Sequence, residues 1–72
     1  MLDIAKNPEL KVFYKNRKLA TIRVEEYLGP ISKKEMAQLL GINRGTLYNR
    51  LAFNNWTYEE LIQITNKLPV LT

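Results

Sequence analysis

The sequence predicts an all-α fold, a compact domain of four to five helices. Apolar residues recur at the three- and four-residue spacing of helices that bury one face. No segment of useful length alternates with the two-residue period of a strand. Two capping boxes also mark helix starts. The chain has 72 residues, enough for a single domain, and we assign all of residues 1–72 to it.

A basic helix is predicted first, over residues 8–28. Asn7 can cap it, and Pro8 suits its first position, where a missing backbone N–H does no harm. The Gly-Pro pair that follows ends this element. The apolar spacing fits one long helix or two helices separated near residues 17–19, and the sequence does not decide between them.

Two later helices each begin with a capping box, in which a hydroxyl residue and a Glu three positions on satisfy each other's backbone N–H groups. Ser32 with Glu35 opens one of them, and Thr57 with Glu60 opens the C-terminal helix, predicted over residues 57–68. An apolar pair flanks each start as a hydrophobic staple. The two pairs are Ile31 with Met36 and Trp56 with Leu61.

Large side chains near the start of the C-terminal helix are predicted to belong to the core. Trp56 and Phe53 are placed there because a domain this small has few large apolar anchors. The alternative is an aromatic binding surface that would also include Tyr27 and Tyr58.

Residues 32–53 have the pattern of a helix-turn-helix, in which two helices cross steeply over a short turn. Ala37 is small where the helices would cross, Gly41 allows the positive φ that begins such a turn, and Asn43 can cap the second helix. The apolar residues that would hold the two helices together are Met36, Leu40, Ile42, Leu47 and Leu51. The predicted domain therefore has a central helix-turn-helix, and the alternative is an ordinary capped hairpin with a polar outer face.

The outward face of the second helix contains no acidic residue. Arg44 suits bidentate contact with guanine, and Asn49 suits adenine. Thr46 can bind phosphate or touch a thymine methyl, and Gly45 lets the backbone come close. Tyr48 is either a contact to a base or sugar or an anchor in a protein interface. The predicted surface for DNA or a protein partner comprises Asn43, Arg44, Gly45, Thr46, Tyr48, Asn49 and Arg50.

The net charge of +4 favours an anionic partner such as nucleic acid. Residues 1–23 carry six cations and two acids, whereas residues 24–72 carry five of each, so the excess lies in the first third. This basic run is either a solvated helix face or a surface that contacts phosphate. The candidate phosphate contacts are Lys33, Lys34, Lys15, Arg17 and Lys18.

The sequence offers no constellation for a metal, a cofactor or catalysis. It has no Cys and no His, so the commonest metal ligands and the commonest general base are missing. Its paired acids, at residues 25–26 and 59–60, point about 100° apart on a helix and cannot jointly hold a ligand. We therefore expect no enzymatic activity, no cofactor and no metal.

The N-terminus lacks the pattern of a signal peptide, since Asp3 and Lys6 interrupt it and no apolar stretch follows. No window approaches the roughly 18 consecutive apolar residues of a membrane span. We therefore expect a cytoplasmic protein that makes no contact with a membrane.

The stretch LLGINRGTLYNRL resembles the turn and recognition helix of Fis-type helix-turn-helix proteins. Tyr48 and Asn49 stand where that family has basic residues, and in that family the motif lies at the C-terminal end. Here a further helix follows, NNWTYEELIQITNKLPV, which resembles Cro/repressor-type (lambda-repressor-like) regulators of temperate phages. In those regulators a helix of pattern T-x-x-E-L-x-x-I-x-x-x-L packs under the motif. Residues 32–68 fit this second family best.

This resemblance implies a small phage or prophage transcription regulator of the lysis–lysogeny switch, which binds a double-stranded DNA operator in a bacterial host cell. A homodimer is expected, because one short helix reads only a few base pairs. The chain is also similar to the modulator-of-repression proteins of temperate lactococcal phages. That similarity implies an antirepressor, which binds the DNA-binding domain of a phage repressor protein. The sequence leaves both functions open.

Overall fold

A computed structural model of the protein describes residues 8–69, and within that range the chain forms five α-helices and no strand. The helices are Pro8–Lys15 (α1), Arg17–Tyr27 (α2), Lys33–Leu40 (α3), Arg44–Phe53 (α4) and Tyr58–Lys67 (α5). The predicted all-α class is confirmed. None of the helices in the described part of the chain has the length and apolarity needed to cross a bilayer.

The N-terminal stretch is two helices rather than one helix over residues 8–28. Asn16 separates them, with an extended backbone and a side-chain oxygen that accepts a hydrogen bond from the Lys18 N–H at 3.2 Å. This is the geometry of an N-cap, for which Asn is among the preferred residues. The break lies just before the predicted region. Helix α1 is helical from Pro8, the first described residue, and its predicted cap, Asn7, lies outside the described residues.

Both predicted capping boxes are present. In the first, the Glu35 N–H donates to the Ser32 hydroxyl at 3.1 Å and the Ser32 N–H donates to the Glu35 carboxylate at 3.3 Å. In the second, the corresponding bonds between Thr57 and Glu60 measure 3.2 and 3.0 Å. These bonds define where α3 and α5 begin, and therefore the direction in which each helix leaves its preceding loop.

The turn between α3 and α4 depends on Gly41, which has a φ of +72°. Its N–H donates to the Gln38 carbonyl at 3.2 Å, and the next N–H, of Ile42, donates to the Ala37 carbonyl at 2.9 Å. This pair of bonds is a Schellman motif, which stops a helix and satisfies its last carbonyl groups. Because the turn is this short, α4 begins at Arg44, three residues after Gly41.

The core surrounds α5, which packs against α1, α2 and α3, while α4 packs against α3. The buried apolar side chains form one cluster. They are Leu10, Phe13, Ala20, Val24, Met36, Ala37, Leu40, Leu47, Trp56, Leu61, Ile64 and Leu68. Helix α4 contributes only Leu47 to this cluster, so most of its surface is free for contacts outside the domain.

Trp56, in the link between α4 and α5, is 1% exposed, and its predicted place in the core is confirmed. Its indole N–H donates to the Thr21 hydroxyl at 2.8 Å, and its carbonyl accepts a bond from the Arg17 guanidinium at 2.8 Å. Both partners belong to α2. The two bonds satisfy polar groups that would otherwise be costly to bury, and they attach the link to the N-terminal half of the chain.

The predicted core position of Phe53 is wrong, because this side chain is 70% exposed. Successive helix residues turn by about 100°, which places Phe53 about 200° from the half-buried Leu51. Asn54 then takes a left-handed conformation, with a φ of 56°, and ends α4. The chain changes direction there, so Trp56 reaches the core and Phe53 points away from it.

Arg23 links three helices. Its guanidinium donates to both oxygens of Glu9 in α1, at 2.7 and 2.9 Å, and to the carbonyl of Leu68 beyond α5, at 2.9 Å. The hydrogen bond with Glu9 raises the pKa of Arg23 above its ordinary value, and Glu26 adds a smaller effect of the same sign. The charge of Arg23 is therefore used inside the fold.

We expect Gly41→Ala to destabilise the protein by about 1 kcal/mol, because an L-residue with a side chain is strained in the left-handed region. Gly29→Ala is the matched control, since Gly29 has no positive φ and no atom within 4 Å of a built Cβ. It should change stability by less than about 0.5 kcal/mol. Urea unfolding midpoints of the two variants measure the difference, and equal midpoints would contradict the role given to Gly41.

Candidate nucleic-acid interface

Helices α3 and α4 form the predicted helix-turn-helix, with the predicted apolar residues on its inner side. Met36, Leu40 and Leu47 are buried, and Ile42 and Leu51 are half-buried against the same cluster. The packing of these residues therefore determines which face of α4 is exposed. Helix α4 presents its polar edge away from the core.

Most of the predicted contact residues lie on that exposed edge. Asn43, Arg44, Gly45, Tyr48 and Asn49 are exposed, whereas Thr46 and Arg50 are half-buried. The structure thus brings the first five of these residues together on one edge, over little more than a turn and a half of helix. Their roles in binding stay predictions.

The first turn of α4 is held by Asn43, which is the helix cap as predicted. Its side-chain oxygen accepts a hydrogen bond from the Thr46 N–H at 2.7 Å. A Cβ on Gly45 would lie 3.4 Å from that oxygen, an ordinary van der Waals contact. Among residues 8–69, the Arg44 side chain has neither a hydrogen-bond nor an ion-pair partner, and its guanidinium is free to contact a ligand.

Tyr48 lies beside Lys33 from the first turn of α3. The Lys33 ammonium is 5.2 Å from the centre of the Tyr48 ring, within the range of a cation–π interaction. This contact brings a predicted phosphate contact next to a predicted recognition residue. Lys34, the neighbouring candidate, is exposed and is not engaged by other described residues. Helix α3 therefore adds the Lys33 cation to the edge of α4.

Arg50 is engaged inside the protein, which differs from its predicted role at the DNA or partner surface. Its Nε donates to Glu60 Oε1 at 2.8 Å, and its Nη2 lies 3.4 Å from Glu60 Oε2. The Glu60 side chain is 9% exposed and that of Arg50 20%. A carboxylate buried to this degree needs a cation. The pair therefore joins α4 to α5.

Asn49 is held by its neighbours. Its side-chain oxygen accepts a bond from Arg50 Nη1 at 3.2 Å and another from Asn55 Nδ2 at 3.0 Å. A chain of hydrogen bonds thus runs from Glu60 through Arg50 to Asn49. The orientation of this exposed amide follows from an ion pair that is itself largely buried.

The basic residues of the N-terminal half are only partly available. Arg17 donates to the carbonyls of Trp56 and Tyr14, so its guanidinium is engaged within the fold, and its phosphate contact stays a prediction. Lys15 and Lys18 are exposed. They belong to α1 and α2, which pack against α5 rather than against α4. The structure does not bring them to the edge of α4.

Two residues that orient the exposed edge were not predicted as part of the site. Glu60 was assigned only to a capping box, and Asn55 was given no role. Glu60 lies one helical turn after Trp56, a predicted core residue, so burial of its carboxylate could have been expected. Asn55 carries no such signal in the sequence. Within the described residues, no group of acids is placed to hold a metal ion.

Residues 32–52 match the bacterial regulatory proteins of the Fis family. The matched segment comprises the Ser32 cap, α3, the turn at Gly41 and nearly all of α4. The match, together with the helix-turn-helix geometry, indicates a DNA-binding regulator. Comparison with curated proteins and with solved structures gave no significant match.

The two arginines of α4 are expected to differ in their effects on stability. Arg50→Ala leaves Glu60 without its cation and should cost about 2 kcal/mol. This is less than the roughly 3–5 kcal/mol of a fully buried pair, because the Arg50 side chain keeps 20% exposure. Arg44→Ala should cost less than about 0.5 kcal/mol. Urea unfolding of both variants, with Arg50→Lys as a milder change, tests this, and equal losses would contradict the assignment.

Proposed function

We propose that the protein is a small phage or prophage transcription regulator of the lysis–lysogeny switch, which places α4 in the major groove of an operator. The acid-free, exposed edge of α4, with an unpaired Arg44, is the observation that carries this proposal. Since DNA is the proposed target, the protein acts in the cytoplasm of a bacterial host. It acts by binding and not as an enzyme.

The assignment to phage regulators draws on the helix that follows the motif. The pattern that resembles Cro-type proteins uses Thr57, Glu60, Leu61, Ile64 and Leu68. In the structure the first two form the capping box, and the last three are fully buried in the core. Each residue of the pattern therefore has a structural task that supports the resemblance.

In this proposal the contacts on α4 are divided between bases and backbone. Arg44 and Asn49 read base edges, and Tyr48 flanks them. Lys33 and Lys34 contact phosphate, while the more distant Lys15 and Lys18 steer association. Asn43 and Thr46 lie beside the backbone at the start of the helix. The protein binds as a homodimer, which doubles the number of base pairs read.

A second candidate is an antirepressor of the modulator-of-repression type, which docks on the DNA-binding domain of a phage repressor. The exposed aromatic side chains of α4 favour it, because Tyr48 is 45% and Phe53 70% exposed. Aromatic residues of this kind are enriched at the centres of protein interfaces. The internal use of Arg17 and Arg50 also leaves less charge for phosphate.

We expect Arg44→Ala to weaken binding of the switch-region duplex by about 1–3 kcal/mol, with the loss confined to one base position. Lys34→Ala is the matched control. It should weaken binding to all sequences alike. It should also reduce the slope of log affinity against log salt concentration by about 1, which corresponds to one released counterion. Titrations of labelled duplexes at two salt concentrations measure both effects. An equal loss on every sequence for Arg44→Ala would remove it from base readout.

The same titrations separate the two candidates when they are repeated with the repressor present. Salt-dependent binding of duplex by the protein alone supports the DNA-binding regulator. If the protein binds no duplex alone but co-elutes with the repressor, and Tyr48→Ala abolishes that complex, the antirepressor is supported and the first proposal fails.

A further inference from the structure

We propose that Asn49 reads DNA only as a hydrogen-bond donor, and that it therefore selects guanine rather than adenine. This inference rests on the proposed function, because it concerns the specificity of the same edge of α4. It also changes the assignment that residue type alone suggests, since Asn in a recognition helix usually pairs with adenine.

The carboxamide oxygen of Asn49 is already used inside the protein. It accepts one hydrogen bond from Arg50 at 3.2 Å and a second from Asn55 at 3.0 Å. A carbonyl oxygen has two lone pairs, so both are occupied. The Nδ2 group of Asn49 makes no hydrogen bond to any other residue in the range 8–69, and Asn49 is exposed. What Asn49 offers to a ligand is thus a pair of N–H donors.

Exchanging the positions of the oxygen and the NH₂ group of Asn49 would cost free energy. A guanidinium has only donors, so turning the amide over would set the Asn49 NH₂ group against the Arg50 N–H groups. Arg50 is itself fixed by Glu60 at 2.8 Å, and Glu60 also accepts the Thr57 N–H at 3.0 Å. Arg50 and Glu60 are therefore positioning residues, and they set the polarity of Asn49 before any ligand binds.

Because Asn49 offers only donors, it needs acceptors on the base, and the two purines differ in how many they present. Guanine presents two acceptors, N7 and O6, in the major groove, whereas adenine presents the N7 acceptor beside the N6 donor. Bidentate contact with adenine needs an oxygen that can accept from N6, and Asn49 has none free. Guanine can take both amide hydrogens. Phosphate oxygens are also pure acceptors, so the test must distinguish a base contact from a backbone contact.

The experiment is selection of duplexes from a randomised pool by the full chain, followed by titration of the selected duplex and its single-base variants. Wild-type protein should enrich guanine at a position that depends on Asn49. Asn49→Ala removes the donors without adding charge and should lower the preference for guanine over adenine there about tenfold. Asn66→Ala, an exposed amide on α5, is the matched control and should leave every preference unchanged.

Two further variants test the positioning. Asn49→Asp keeps both acceptor bonds but carries no donor, so it should also lose the guanine preference, with an added uniform loss from its negative charge. Asn55→Ala is an exposed change that frees one lone pair of Asn49, and it should make adenine better tolerated at this single position. A purely structural role for Asn55 would not move the base preference. Circular dichroism of each variant confirms that the helices are intact.

The outcomes separate this inference from the proposed function. Enrichment of adenine at the Asn49-dependent position overturns the inference, and so does an unchanged preference in Asn49→Ala. A uniform loss on all sequences in Asn49→Ala means that the donors bind phosphate, which also overturns it. If wild-type protein enriches no duplex even at low salt, the proposed function fails, and the inference fails with it.

Discussion

The indole of Trp56 is the contact on which the arrangement of the helices depends. Trp56 lies in the link between α4 and α5, and its indole is buried in the core and donates to the Thr21 hydroxyl on α2. The backbone carbonyl of Trp56 accepts a hydrogen bond from Arg17. A chain of this size without Cys has no disulfide to stabilise it and depends mainly on its core. Trp56 is the largest of the fully buried side chains. The bonds of Trp56 to α2 hold the link that follows α4. They therefore help to fix the position of the exposed edge of α4.

The net charge alone does not show which cations are available to an anionic partner, because some arginines are bound within the fold and another is free. Arg17, Arg23 and Arg50 each bind groups within the fold, and only Arg44 lacks a partner among the described residues. The basic excess of the first third is therefore partly a structural device. Guanidinium groups suit this use, since their several donors can reach carbonyl and carboxylate groups at once. The cations left for an anionic partner are mainly lysines on α1 to α3.

Local chemistry explains how much of the fold could be predicted. The caps at Ser32, Asn43 and Thr57 and the turn at Gly41 act on residues within five positions, and all were predicted from the sequence. Contacts between residues that are distant in the sequence depend on how the helices pack, and these contacts were not predicted. Arg17 reaches a carbonyl 39 residues away, and Arg50 an acid 10 residues away across a helix boundary. The exposure of Phe53 depends on where α4 ends, which the left-handed Asn54 decides.

The division of α4 into a packed side and an exposed side bears on how such a regulator could acquire new targets. Leu47 and Arg50 tie the helix to its scaffold, while Arg44 and Tyr48 project from it with little structural duty. Under the proposed function, substitution at the latter two positions would alter recognition at almost no cost to folding. Asn49 is different, because the scaffold dictates which of its atoms face outward. Divergence among related regulators should therefore be rapid at the first two positions and coupled to residues 50, 55 and 60 at the third.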